Sequence, residues 1–519
     1  MQDPHAALAG DRAFFGHPRG LATLFFTEMW ERFSYYGMRA LLILFMTTAA
    51  AEGGLGFDPA TAGAIYGLYT AGVYLLALPG GWLADRLIGQ QRAVLIGGLL
   101  IACGHFTLAF PGLVTFYAGL VLIVLGTGLL KPNISTIVGQ LYASADERRD
   151  AGFSIFYMGI NVGGFLAPLV CGYLGESIDW HLGFAAAGVG MVLGLLQYVA
   201  GQSHLGQAGK PAPSGLSTAR EAERRRRIYS WLGVGALGAG GLALLLAFGI
   251  LPINVVQLAN AAIVVIASFA ILFFVYLYSA GGLSPVEKRQ LGAIALLFVF
   301  SWIFWAGFEQ GGSSFNLFAR DMTDRVIGGW EFPASWFQFV NSAFIILLVP
   351  VFAALWLRLG PRQPAVPVKF ALGLIFLGAG FAVLTWGARI AADGTRVGLS
   401  WLVVVYLLHT CGELCLSPVG LSTVSRLAPQ RFTGQMMGVW FLSISLGNLT
   451  AGQLAGQTAT FSMAQIFFWV FVVSCVAGVG LLFFRKKVRG LIKPGEPTET
   501  GEVEGTGAVL RARSSAARS

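Results

Sequence analysis

Charge is scarce in this chain. Lys, Arg, Asp and Glu supply 11% of its 519 residues, hydrophobic types supply 56%, and the mean hydropathy is +0.70. Soluble globular domains carry about 25% charged residues, so a water-soluble fold is excluded. The apolar residues do not alternate in segments of about 10, as the strands of a membrane barrel would. There is no GxxxxGK[ST] phosphate loop, and no polar segment long enough for an ATPase domain, so direct use of ATP is excluded. Cysteine is rare as well. Cys103, Cys171, Cys411, Cys415 and Cys475 all fall within apolar spans and read as small buried hydrophobes. Cys411 and Cys415 share a helix face, but two thiols alone make a poor metal site, and no metal or other cofactor is expected. No nucleophile stands beside a base in a shared site, so no enzyme is expected. Nor is a cleavable signal peptide visible, because the first apolar segment carries charges and lacks a small-residue cleavage site.

What is present is a series of long apolar runs. A helix that crosses a bilayer needs about 20 predominantly apolar residues. By that measure the sequence predicts an all-α polytopic membrane protein. Spans fall near 21–50, 61–84, 92–110, 113–141, 152–175, 182–201, 231–250, 254–279, 290–319, 333–357, 368–388, 398–426, 434–455 and 463–484. Lys and Arg collect in alternate loops: Arg86 and Arg92, Arg148 and Arg149, Lys210 with Arg220 and Arg224 to Arg227, Lys288 and Arg289, Arg358 and Arg362, Arg431, and Arg485 to Lys487. Basic loops stay on the cytoplasmic side, so both termini are expected there. The same bias explains the net charge of +9 without a nucleic-acid partner.

The stretch "GQSHLGQAGKPAPSGLSTAREAERRRR" (201–227) has no spanning pattern and divides the chain. The parse is an N-terminal six-helix bundle (1–201), a cytoplasmic linker (202–230), an inserted helix pair (231–280), a C-terminal six-helix bundle (281–487) and a disordered tail (488–519). The inserted pair carries neither acid nor base and reads as peripheral and structural. Between the second and third helices the loop reads "GGWLADRLIGQQR". There Gly81, Asp85, Arg86, Gly89 and Arg92 resemble the loop signature of the major facilitator superfamily. The resemblance implies a latch in which Asp85 pairs with Arg86 and Arg92.

Within the apolar spans sit charges that oil does not tolerate. Glu28, Glu31, Arg32, Tyr35 and Tyr36 are spaced to line one helical face. A charge at the bilayer centre costs about 2.5–3.5 kcal/mol, so this face is expected to point at partners or at a water-filled cavity. Arg39 lies further along and is expected to reach toward the interface. Lys131, Glu309 and Glu413 lie deep in other spans, drawn from both halves of the chain. A Lys in one half and a Glu in the other pair when the halves meet and part when they rock. Tyr74, Asn161, Trp305, Asn341, Ser417 and Trp440 lie in helices that also carry or neighbour these charges, and their amide, phenol and indole groups suit peptide-like ligands. Buried carboxylates take up and release protons, so protons rather than Na⁺ are expected as the coupling ion.

The motifs together resemble the proton-dependent oligopeptide transporter family. "TEMWERFSYYGMRALL" is similar to its ExxER-containing first helix. "GTGLLKPNIST", "DAGFSIFYMGINVGGFLAPLVCGYL", "FWAGFEQGGSSFNLF", "WFQFVNSAFIILLVPVFAALW" and "GELCLSPVGLS" look like its further motifs, in order over about 15–485. The resemblance implies a symporter of di- and tripeptides in a bacterial inner membrane, working as a monomer by alternating access. Glu28, Glu31, Arg32 and Glu309 would couple protons. Lys131 would hold the peptide carboxylate and form a gate salt bridge with Glu413, which would hold the amino terminus near Ser417. Asn161 and Asn341 would bind backbone and terminus, while Tyr35, Tyr36, Tyr74, Trp305 and Trp440 would line the pocket. One position departs from the pattern: where some relatives carry a functional His in the second helix, "AIYGLYTAGVYL" has Gly67, which argues against a His relay. Two other readings stay open: a family carrier of nitrate or another small solute, and a membrane peptide sensor.

Overall fold

Each predicted apolar run that lies within residues 11–143, 146–211, 220, 222–224, 226–230, 233–235 and 254–492, the part the computed structural model describes, is largely helical, in one helix or two. They are α1 (Arg19–Thr47), α2 (Pro59–Leu75), α3 (Ala77–Leu83), α4 (Gln90–Leu108), α5 (Leu113–Gln140), α6 (Arg149–Ser177) and α7 (Trp180–Gly201). Then follow α8 (Val255–Ala280), α9 (Pro285–Phe308), α10 (Ser314–Met322), α11 (Phe337–Leu359), α12 (Val366–Ala391), α13 (Ser400–Leu427), α14 (Thr433–Gly456), α15 (Met463–Phe483) and α16 (Arg485–Ile492). Eleven segments among the described residues are long and apolar enough to cross a membrane; α1 and α14 match them in length but carry too much polarity to count. The span near 231–250 lies almost wholly outside the described residues.

Helix starts follow local chemistry. Asp58 accepts from the Ala60 and Thr61 amides with Pro59 in the first turn of α2, and Ser284 and Ser462 build capping boxes with Glu287 and Gln465. Proline interrupts the hydrogen-bond ladder inside α5 at Pro132, directly after Lys131, and inside α13 at Pro418, directly after Ser417. The run 290–319 is not one helix: α9 stops at Phe308, Glu309–Gly312 forms a 3₁₀ turn, and α10 starts afresh. Consecutive Gly311 and Gly312 are poor helix formers, and the break sets Glu309 at a buried helix end inside the bundle.

Three further departures are local. Residues 222–224 and 226–230 are helical, and Gln202–Leu205 is a 3₁₀ turn, so the linker is not uniformly irregular. The first residues of the expected tail belong to α16, which tucks Val488 inward among bases; 493–519 lie outside the described residues. A hairpin, β1 (Val326–Ile327) and β2 (Trp330–Glu331), pairs Val326 with Glu331 across Gly328 and Gly329. Both glycines have positive φ, 61° and 84°, as a tight two-residue hairpin turn requires.

Helix packing divides the chain in two. In the first group α1 packs on α6 and α7, and α4 on α5 and α7; in the second α12 packs on α13 and α15, and α9 on α14. Two seams join the groups, α2 against α14 and α6 against α11. The first is a glycine contact. A Cβ on Gly63 would collide with the carbonyl of Gly452, and one on Gly67 would press on Asn448 and Leu449, so only backbone-to-backbone approach fits. Helix α8 lies over this seam, touching both α2 and α14, with Ala259, Ile266, Ala270 and Leu277 turned inward.

Candidate substrate site

Helix α1 carries the first set of charges. Glu28, Glu31 and Arg32 are 3%, 0% and 2% exposed. Arg32 Nε lies 3.1 Å from Glu28 Oε1 and also bonds Glu31 Oε2, and its guanidinium lies 5.1 Å from the Tyr35 ring centre. Of the two expected surroundings, partners or a water-filled cavity, the first holds here: one guanidinium sits between two carboxylates on a single helix turn. Glu28 Oε2, Glu31 Oε1, Arg32 Nη2 and the Tyr35 hydroxyl remain without a partner, which is costly in a dry interior.

The second set lies where α9 breaks. Arg39 Nη2 is 2.6 Å from Glu309 Oε2, and Arg39 Nε donates to the Tyr66 hydroxyl at 2.6 Å. Arg39 does not reach toward the interface as expected. It is 9% exposed and ties the two bundles together. Asn316 of α10 adds a bond from Nδ2 to the Ala40 carbonyl at 2.8 Å. Sequence reasoning passed over Tyr66 and Asn316. Tyr66, Thr70 and Tyr74 recur every fourth residue on α2, and that polar stripe was the available signal.

The third set belongs to α11 and α13. Asn341 Nδ2 donates to Thr410 Oγ1 at 3.0 Å and to Glu413 Oε2 at 3.5 Å. Lys131 faces from the other bundle, its Nζ 3.8 Å from the centre of the Tyr74 ring, a cation–π contact. Lys131 and Glu413 do not form the expected salt bridge in this conformation: each has taken a partner from its own bundle. All three sets meet at Tyr36, which feels the charges of Arg32, Arg39, Glu309 and Glu413. Lys131 in turn feels those of Arg32, Glu31, Glu28 and Glu309. Tyr36, Tyr74, Lys131, Asn341, Glu413 and Ser417 are only half-buried, so the centre is partly wetted while the α1 charges sit behind it.

Three other expected lining residues, Trp440, Trp305 and Asn161, are buried in this conformation. Trp440 is 3% exposed, packed on Gly420 and 6.4 Å from the Phe370 ring, and Trp305 lies against Gly447 inside its own bundle. Asn161 spends its Nδ2 on the Tyr157 carbonyl of its own helix at 3.0 Å. In the π-helical turn Ala84–Ile88 that continues α3, Asp85 accepts from Gln90 Nε2 at 3.1 Å, and the Arg86 carbonyl accepts from Arg224 at 3.0 Å. The expected Asp85 pairs with Arg86 and Arg92 are not among the ion pairs of the described residues. Both arginines are exposed, where water competes for them.

The bundles close on the side opposite the basic loops. There Arg39 meets Glu309, Arg320 Nη1 donates to Thr47 at 2.8 Å, and Trp336 Nε1 donates to the Leu169 carbonyl at 3.1 Å. A cavity of about 780 Å³ lies at this closed end, lined by Thr47, Leu317, Arg320, Arg389 and Phe461 among others. None of the predicted site residues borders it.

Two helical bundles that bring opposed charges to a half-wetted centre, closed at one end, define a membrane transporter of the major facilitator fold. The sequence model of the POT family matches residues 91–470. The chain is 46% identical over 457 residues to Peptide transporter YePEPT of Yersinia enterocolitica subsp. palearctica serotype O:3 (strain YE-P4), covering 86% of this chain and 89% of the relative. It is 38% identical over 491 residues to a Di-/tripeptide transporter of Lactococcus lactis subsp. cremoris, covering 93% and 98%. The crystal structure of a POT family transporter in complex with a thioalcohol-conjugated peptide superposes with a TM-score of 0.86 at 34% identity, covering 94% of this chain and all of that one. The chain belongs to the POT family of peptide transporters.

Proposed function

We propose that the protein imports di- and tripeptides together with protons across a bacterial inner membrane, as a monomer with both termini cytoplasmic. The observation that carries this is the Arg39–Glu309 pair, which joins the bundles at 2.6 Å, together with the half-buried Tyr36, Tyr74, Lys131, Asn341 and Glu413 drawn from both bundles. A zwitterionic peptide has fixed charges at its ends whatever its side chains. Its carboxylate suits Lys131 beside Tyr74, and its ammonium suits Glu413 with Asn341. Extended chains span about 3.3–3.6 Å per residue, so a site that reads both ends limits length and ignores sequence. Bringing Lys131 and Glu413 together is then the closing movement on the side of the basic loops.

Protons enter through the carboxylates. Neutralising Glu309 removes its hold on Arg39 and loosens the closed side, and Glu28 and Glu31 compete for Arg32 in the same currency. The orphaned oxygens on Glu28 and Glu31 are places where a proton adds a donor. The test is uptake into proteoliposomes. Alanine-containing dipeptides are expected to drive proton entry and to accumulate against a concentration difference when a proton gradient is imposed. Peptide uptake indifferent to that gradient refutes coupling, and proton movement driven by nitrate instead of peptide refutes the substrate class.

A further inference from the structure

One contact across the closed seam has no counterpart among the groups described above. Glu176, in the last turn of α6, points at the turn that precedes α11. Its two carboxylate oxygens accept from the backbone amides of Ala334 and Ser335, each at 2.8 Å. These are among the first amides of the Ala334–Trp336 turn that runs into α11, so they have no partner within their own helix. A carboxylate placed there satisfies two donors at once and meets the positive end of the helix dipole. The cap comes from the opposite bundle, which is what separates it from an ordinary N-cap.

The surrounding seam is shaped for this contact. Leu169, Gly172 and Glu176 lie on one face of α6. Leu169 accepts from Trp336 through its carbonyl, and a Cβ on Gly172 would run into the Ser335 side chain. Phe165 and Phe339 continue the seam, their ring centres 5.4 Å apart. Arg325 lies within electrostatic reach of Glu176, but its guanidinium is already bound to Glu331 and to the Phe332 carbonyl. When the bundles part on this side, the two amides and the carboxylate all pass to water.

We propose that Glu176 is a positioning residue of the transport cycle: its carboxylate latches the two bundles on the closed side by capping the Ala334–Trp336 turn in trans. Its role is to set how long that side stays shut, independently of the Arg39–Glu309 pair. The proposal rests on the alternating-access reading, but its test needs no peptide. Spin labels go on Ile178→Cys, just past α6, and Ile327→Cys, in the hairpin; both native side chains are 58% exposed. Exposed Cys103 is replaced by Ala. Distances are measured in detergent-free nanodiscs for the parent, Glu176→Ala and Glu176→Gln, alongside thermal melting. The expected result is that Glu176→Ala raises the open-to-closed ratio on this side about tenfold or more, as two lost charge-assisted bonds imply. Glu176→Gln keeps one acceptor and turns an amide group toward the second N–H, so it should shift part of the way. Unchanged distances in a Glu176→Ala protein that melts like the parent overturn the latch. If that variant does not fold, unchanged distances in Glu176→Gln do the same. Failure of peptide uptake with a normal latch response would instead count against the transport reading alone.

Discussion

Glu309→Gln is the substitution whose effect the geometry specifies most fully. The change keeps side-chain size and an acceptor oxygen while deleting one negative charge. Glu309 and Arg39 are 3% and 9% exposed and lie 2.6 Å apart. Removing one member of a buried pair costs about 3–5 kcal/mol, because the remaining charge has no counter-ion. The Tyr66 hydroxyl and the new amide oxygen still accept from Arg39, so the lower end, about 3 kcal/mol, is the reasonable figure. This cost falls on the closed arrangement alone, since separation of the bundles lets water reach Arg39. At 1.4 kcal/mol per factor of ten, the closed side should lose about 100-fold in relative population. The Ile178 and Ile327 labels read that directly. Adding Arg39→Met to Glu309→Gln removes the stranded charge and should recover closure. If Glu309→Gln is folded yet no more open than the parent, or if the double variant is no more closed than the single one, the pair is not what couples protonation to the closed side.

Two other substitutions probe neighbouring steps. Glu31→Gln should retain peptide exchange without a gradient while losing concentrative uptake; equal loss of both activities would place Glu31 in binding or folding instead of coupling. Gly452→Leu puts a branched side chain where α14 meets the Gly63 turn of α2. It should hold the seam apart, lengthen the label distance and abolish uptake while the protein still inserts and melts cooperatively. Normal uptake by Gly452→Leu would show that this glycine contact is not required for closure.

Much of the helical framework was legible because a bilayer imposes a length and a polarity on every crossing segment. The single positions that escaped that logic are instructive. The break before Glu309 was hidden in an apolar run, because hydropathy does not register that Gly311 and Gly312 interrupt a helix. The hairpin at 326–331 is too short for period-2 patterning to announce it. Arg39 was given a destination at the interface by its place along α1. Its true partner lies 270 residues away in sequence, and no local pattern encodes such a distance. Glu176 belongs to no motif in the sequence, since the amides it caps are backbone groups with no side-chain signature.

By itself the sequence determined that charges lie inside a membrane, on which helices, and from which halves, because the cost of ions in oil restricts where they are tolerated. Only the tertiary structure decided how they pair. Arg32 has Glu28 and Glu31 within one turn of its own helix, so that set is closed by local geometry. Lys131 with Tyr74 and Glu413 with Asn341 depend on how helices pack within one bundle, and Arg39 with Glu309 depends on how the two bundles lean against each other. That lean is set by the glycine contact of α2 with α14 and the capped seam of α6 with α11, which are properties of packed backbones and not of residue order.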